Sequence, residues 1–177
     1  MNIQFFTISS FDSVKLNSGR PLIICDIDET LLYWDDDSYR NNQLSRFPLF
    51  YNKNMMRNRS MSLSSFQNRT ILPTDLAGFY RLEQRVRSLG GKIVFLTARH
   101  PATASYAIAD FLKIGIDASK YEIYYTGNEI SKGHFMEKYI DLSGYDDYYF
   151  IDDLQENLVS MFKSCHKMNL YLFRRLT

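Results

Sequence analysis

Apolar residues along this chain come in short uninterrupted runs that alternate with stretches of helical spacing. Pro21-Leu22-Ile23-Ile24-Cys25 is the clearest run, and Lys92 to Leu96, Tyr121 to Tyr125, Tyr148 to Ile151 and Asn169 to Phe173 repeat the pattern. A continuous run, in contrast to strict alternation, marks a parallel strand covered on both faces. Between the runs, Leu76, Phe79, Leu82, Val86 and Leu89 recur as one helix face, opened by Asp75 as a cap and stopped by Gly90-Gly91. Residues 102–114, 131–139 and 154–162 read as further helices. Strands alternating with helices predict an α/β fold, a Rossmann-like parallel sheet with helices on both faces and the strand ending at Asp26 in its centre. Residues 1–20 hold an apolar patch from Ile3 to Ile8 that either adds an edge strand or lies as an arm on the domain.

One stretch, residues 33–73, breaks the pattern. No period of two or 3.6 persists there, which predicts irregular structure with one short helix. Arg40, Arg46, Lys53, Arg57, Arg59 and Arg69 fall between Tyr39 and Thr74 with no acidic residue among them, interleaved with aromatic side chains. The segment reads as an insertion within a single domain spanning 1–177. Its one-sided charge suits a phosphate dianion, which arginine binds as a fork. The competing reading is a solvated loop.

Composition narrows the classes without naming one. The chain has 177 residues, 45% hydrophobic and 23% charged, enough for one domain with a proper core. A formal net charge of +1 points neither toward nor away from nucleic acid. No apolar run reaches the length of about 18 residues needed to span a bilayer, and Met1 to Phe6 lacks the form of a secretory signal. With only Cys25 and Cys165, a reduced, cytoplasmic chain is the simplest expectation.

The chemistry gathers where the strands end. The first run enters Asp26-Ile27-Asp28-Glu29-Thr30, and residues two apart on a strand share a face as long as strand geometry persists. Thr97 and Asp153 close two later runs. Open α/β sheets bind ligands beyond the carboxyl ends of their strands, so these residues are expected to converge.

The DxDxT pattern after an apolar strand resembles the first motif of the haloacid dehalogenase (HAD) superfamily, and DIDETL is similar to the form found in its acid phosphatases. The resemblance continues in the family's order through Val94-Phe95-Leu96-Thr97, Lys132 and Phe150-Ile151-Asp152-Asp153. It implies a HAD-type domain in which 33–73 is a flap or mini-cap, and a magnesium-dependent phosphomonoester hydrolase. By this resemblance Asp26 is the nucleophile, Asp28 the acid and base, Thr97 a hydrogen-bond donor to phosphate, and Lys132 the neutralising cation, with Lys138 as runner-up. Thr30 and Ala98 belong beside the phosphate, and Arg57 and Arg59 are the insertion's candidate contacts. The metal set is Asp26, the Asp28 carbonyl, Asp153 and, beside it, Asp152. Asn157 stands where many relatives carry another acid. His100 and Trp34 are candidate substrate contacts whose plainer roles are structural.

Two other classes compete. A signalling receiver domain uses similar groups, but in a different chain order. A HAD-fold binding module would typically have lost an aspartate, and none is missing. The substrate stays open among small phosphomonoesters, phosphoproteins and nucleotide or polynucleotide ends.

Overall fold

In the computed structural model the described residues are 3–35, 70–127 and 129–176. Strand β1 (Phe6–Ile8) is short, whereas β2 (Pro21–Cys25) is buried at every position. A strand with no exposed side chain needs cover on both faces and partners on both edges. Strands β5 (Lys92–Thr97) and β7 (Asp147–Asp152) supply the edges, pairing in parallel with β2 from either side. Outside them lie β6 (Glu122–Tyr125) and β8 (Asn169–Phe173), giving the order β1-β8-β7-β2-β5-β6. Every pairing in this sheet is parallel, so the architecture is the expected Rossmann-like α/β fold with β2 central. Residues Phe6–Ile8 take the edge-strand alternative, in register with Tyr171, Leu172 and Phe173.

Alternate side chains of the sheet enter two cores. Ile23, Cys25 and Phe95 pack on one face with Phe79, Leu82 and Val86 of α1 (Leu76–Ser88) and Phe111 of α2 (Ala104–Lys113). Leu22, Ile24, Val94 and Leu96 pack on the other with Met136 of α3 (Lys132–Tyr139) and Leu158 and Met161 of α4 (Gln155–Ser164). Period two along the strands thus sorts the helices into two layers.

The punctuation is local chemistry. Asp75 caps α1 by accepting from the Gly78 N–H at 2.9 Å, and Gly90 ends it at φ 69°, a conformation that costs glycine little. Before α2, Pro101–Thr103 form a 3₁₀ turn, and the His100 ring nitrogen Nδ1 accepts from the Ala102 N–H at 3.1 Å. Proline favours such a first turn, which moves the regular helix two residues beyond the expected start. Both ends of the 33–73 stretch are strands in place of irregular structure, β3 (Leu32–Trp34) and β4 (Ile71–Pro73) pairing antiparallel. Arg57, Arg59 and the expected short helix lie outside the described residues. Cys25 and Cys165 are free thiols. Among the described residues no helix is long and apolar enough to cross a membrane.

Candidate active site

The carboxyl ends of β2, β5 and β7 meet at one place. Asp26 follows β2 directly, and its N–H bonds the Ile151 carbonyl of β7 at 2.9 Å. Thr97 is the last residue of β5 and Asp152 the last of β7. Asp28 lies beyond the end of β2, in an isolated bridge with Leu32. Strand geometry stops at Cys25, so the condition for Asp26 and Asp28 to share a face fails. Glu29 then takes φ 58°, a left-handed conformation uncommon outside glycine, and turns the chain away. The two aspartates consequently face different cations.

Asp26 faces Lys132. The ammonium donates to Asp26 Oδ1 and, at 2.7 Å, to Asp152 Oδ2, and all three residues are buried. Lys132 is the first residue of α3, whose cap is the Ser131 hydroxyl accepting from the His134 N–H. Next to it, a Cβ on Gly133 would lie 2.1 Å from the Ser160 carbonyl oxygen, so α3 and α4 touch backbone to backbone at the root of the lysine. Asp152 is saturated with donors. Its Oδ1 accepts from the Leu154 N–H at 2.8 Å and from Asn157 Nδ2 at 3.0 Å, while Asn157 also reaches Oδ2. Burial pushes the Asp26 carboxyl well above the usual range, against the pull of Lys132 and with the push of Asp152. Burial by itself would lower the Lys132 ammonium, but the charges of Asp152 and Asp26 raise it. Lys132 therefore stays charged in the interior.

Asp28 faces Arg99. The guanidinium grips it with Nη2 to Oδ1 at 2.6 Å and Nε to Oδ2 at 3.0 Å, and its third arm, Nη1, donates to Asp110 Oδ2 at 2.8 Å. The Thr97 hydroxyl donates to Asp28 Oδ2 at 3.3 Å and accepts from the Arg99 N–H at 3.1 Å. Burial opposes the Arg99 charge, and Asp28 and Asp110 more than restore it. Burial raises the Asp110 carboxyl despite the arginine.

Asp26, Asp152 and Asp153 each offer a carboxylate oxygen, and the three lie within 4.8 Å of one another. Three carboxylates against one ammonium leave an excess of negative charge. The Asp153 carboxyl is pushed up to about 7 by burial and then by Asp152. A hard cation with oxygen ligands would relieve both conditions, so the donor set could hold a metal ion. The Asp28 carboxylate is directed to Arg99 instead. Because Asp152 already accepts from three donors, Lys132, the Leu154 N–H and Asn157, Asp26 and Asp153 are the residues with coordination to spare.

The remaining candidates fall around these two clusters. The Thr30 hydroxyl, buried, lies 3.5 Å from Asp26 Oδ2, and Ala98 is half-buried between Thr97 and Arg99. Lys138 is exposed on α3, its ammonium over the Tyr139 ring. His100 caps the turn before α2, and Trp34 packs against the core. Arg99, Asp110 and Arg174, whose guanidinium donates to the Asp153 carbonyl at 2.8 Å, were not among the residues that the sequence pattern singles out. Arg99 follows the end of β5 at Thr97, where the strand period no longer applies, so spacing gives it no signal.

The fold is similar to that of a chain in the Pnkp1/Rnl/Hen1 complex, with a TM-score of 0.51 and 16% sequence identity, over 88% of this chain and 47% of that one. This chain thus spans about half the length of that relative, and the likeness is one of fold. No protein-family model and no curated protein matches the chain.

Proposed function

We propose that the chain is a HAD-type phosphomonoester hydrolase that depends on magnesium and works through a phosphorylated Asp26. The observation that carries this reading is the buried Asp26, held by Lys132 beside Asp152 and Asp153 at the end of the central strand. Phosphoryl transfer asks a protein chiefly for positioning and charge stabilisation, and these residues supply a nucleophile, a fixed cation and a place for a mobile one.

Asp26 attacks phosphorus. Asp28 gives a proton to the leaving oxygen and later takes one from water. Thr97 donates to a phosphate oxygen, Lys132 offsets the charge on Asp26 and on phosphate, and Thr30 and Ala98 border the phosphate. Asp26, Asp153 and the Asp28 carbonyl would hold the metal, with Asp152 anchoring Lys132 beside it. Magnesium held there would polarise the phosphoryl oxygens and offset their charge. The substrate is a phosphorylated small molecule, phosphoprotein or nucleic-acid end in the cytoplasm. The basic, aromatic-bearing insertion around Arg57 and Arg59 favours a nucleotide or polynucleotide end among these.

Hydrolysis of 4-nitrophenyl phosphate, measured with magnesium, with EDTA and with Asp26→Asn, tests the reading. Turnover that needs both the metal and Asp26 is expected. Turnover that persists in EDTA or in Asp26→Asn would sink it.

A further inference from the structure

We propose that Asp110, a residue of α2 outside every recognised motif, is a positioning residue that acts through Arg99 to hold the Asp28 carboxyl where the leaving oxygen arrives. The inference rests on the phosphomonoesterase reading above.

Asp28 projects from a hydrogen-bonded turn beyond the end of β2, bridged to Leu32, and within that turn the direction of its carboxylate is set by its side-chain partners. Apart from Thr97 at 3.3 Å, what aims it is the Arg99 fork, which meets both carboxylate oxygens. An arginine is a long chain with many rotamers, and a fork anchored at one end only would swing with its partner. Asp110 Oδ2, 2.8 Å from Nη1, anchors the other end. Both Arg99 and Asp110 are 9% exposed, so this is an interior arrangement and not a surface pair.

The place of Asp110 on its helix strengthens the point. Ala107 and Phe111 mark the buried face of α2, and Asp110 lies on that face among them. A carboxylate there costs desolvation, and a packed apolar residue would serve stability as well or better. What the carboxylate supplies and an apolar residue would not is a fixed direction for Arg99.

The chemistry shows where that direction matters. In the first step an Asp26 oxygen bonds to phosphorus while the bond from phosphorus to the leaving oxygen breaks, and the Asp28 proton passes to that oxygen. In the second, a water oxygen bonds to phosphorus, its proton goes to Asp28 and the bond to Asp26 breaks, releasing phosphate. An alkoxide or phenoxide leaves badly without the proton, whereas a dinitrophenoxide leaves unaided. A misaimed Asp28 therefore slows the first step selectively for esters of poor leaving groups.

The test compares kcat/KM of the wild-type chain, Asp110→Ala and Asp110→Asn on phenyl phosphate and on 2,4-dinitrophenyl phosphate. Asp110→Ala is expected to lose about 100-fold in kcat/KM on phenyl phosphate and no more than about 3-fold on the dinitrophenyl ester, because kcat/KM reports the step in which the ester bond breaks, whereas the later release from Asp26 is common to both esters. Asp110→Asn keeps an acceptor for Nη1 and is expected to lose about 10-fold, on phenyl phosphate alone; it carries the test where the alanine variant does not fold. Equal losses of kcat/KM on the two esters, or no loss, would overturn the inference. A wild-type chain inactive on both esters would sink the phosphatase reading and this inference with it.

Discussion

Lys132 and Arg99 are both buried cations set between two aspartates, yet their surroundings differ. Lys132 comes from α3, over the core formed by Leu22 and Ile24, and is a compact charge that two carboxylates share. Arg99 meets Asp110 from α2, over the opposite core, and its planar fork spends separate nitrogens on separate partners. A further acid, Asp153, stands beside the first cluster, and burial and Asp152 push its carboxyl up to about 7. The first cluster is short of positive charge and suited to a mobile cation. The second is matched by geometry and works as a clamp. One region manages charge and the other direction, and the phosphoryl transfer proposed above would need both.

The largest expected effect breaks the first region at its centre. Asp26→Asn should lower turnover by about 10⁴-fold or more, read as kcat on an aryl phosphate. The same change removes a carboxyl that burial opposes, so the melting temperature in EDTA should rise. A variant that melts lower and still turns over would contradict both statements.

Removing each cation in turn separates the regions. Lys132→Met and Arg99→Met should each cost about 3–5 kcal/mol of stability in urea unfolding, the usual penalty for leaving buried carboxylates unpaired. Magnesium should return part of the loss in Lys132→Met and none in Arg99→Met. Equal recovery in the two variants would erase the distinction between them.

Acidity sharpens it further. The Asp153 carboxyl ionises at about 7 in the folded chain and in the ordinary acidic range when unfolded. Between those values the folded state binds more protons, so stability should fall as pH rises and level off above about 7. Melting scans in EDTA read this slope, and Asp153→Asn should flatten it. The smallest effect is at Asn157, whose amide donates to both Asp152 oxygens; Asn157→Ala should cost about 1–2 kcal/mol and leave Arg99 and Asp28 undisturbed. Urea unfolding together with the leaving-group comparison checks both parts.

Much of the fold was legible because burial writes itself into sequence. An unbroken run such as Pro21–Cys25 has few alternatives to a central strand, and the residue that follows it is placed at the strand's mouth by topology alone. Asp26, Thr97 and Asp153 are expected at strand ends on this ground, and Lys132 and Asp152 by the family resemblance; the fold sets Lys132 between Asp26 and Asp152, and Thr97 beside Asp28 and Arg99. The Arg99 and Asp110 pairing was hidden because it joins a strand end to the inner face of a helix, and spacing along the chain says nothing about that crossing. A carboxylate on the apolar side of α2 was the available clue, since a buried polar residue is more informative than a buried apolar one. The end of β2 at Cys25 was hidden too, because the turn depends on Glu29 adopting a backbone conformation that its residue type disfavours.

The contact at Gly133 gives Lys132 an origin as well as a destination. A lysine reaches its partners through a flexible stem, so the position of its charge is only as definite as the backbone from which it starts. Here that backbone rests against the Ser160 carbonyl with no room for a methyl group between them. The accuracy of the site is thus inherited from two helices whose touching atoms take no part in chemistry. Mild heat or cosolvent that eases α3 from α4 should silence the proposed hydrolysis while the central strands are still paired.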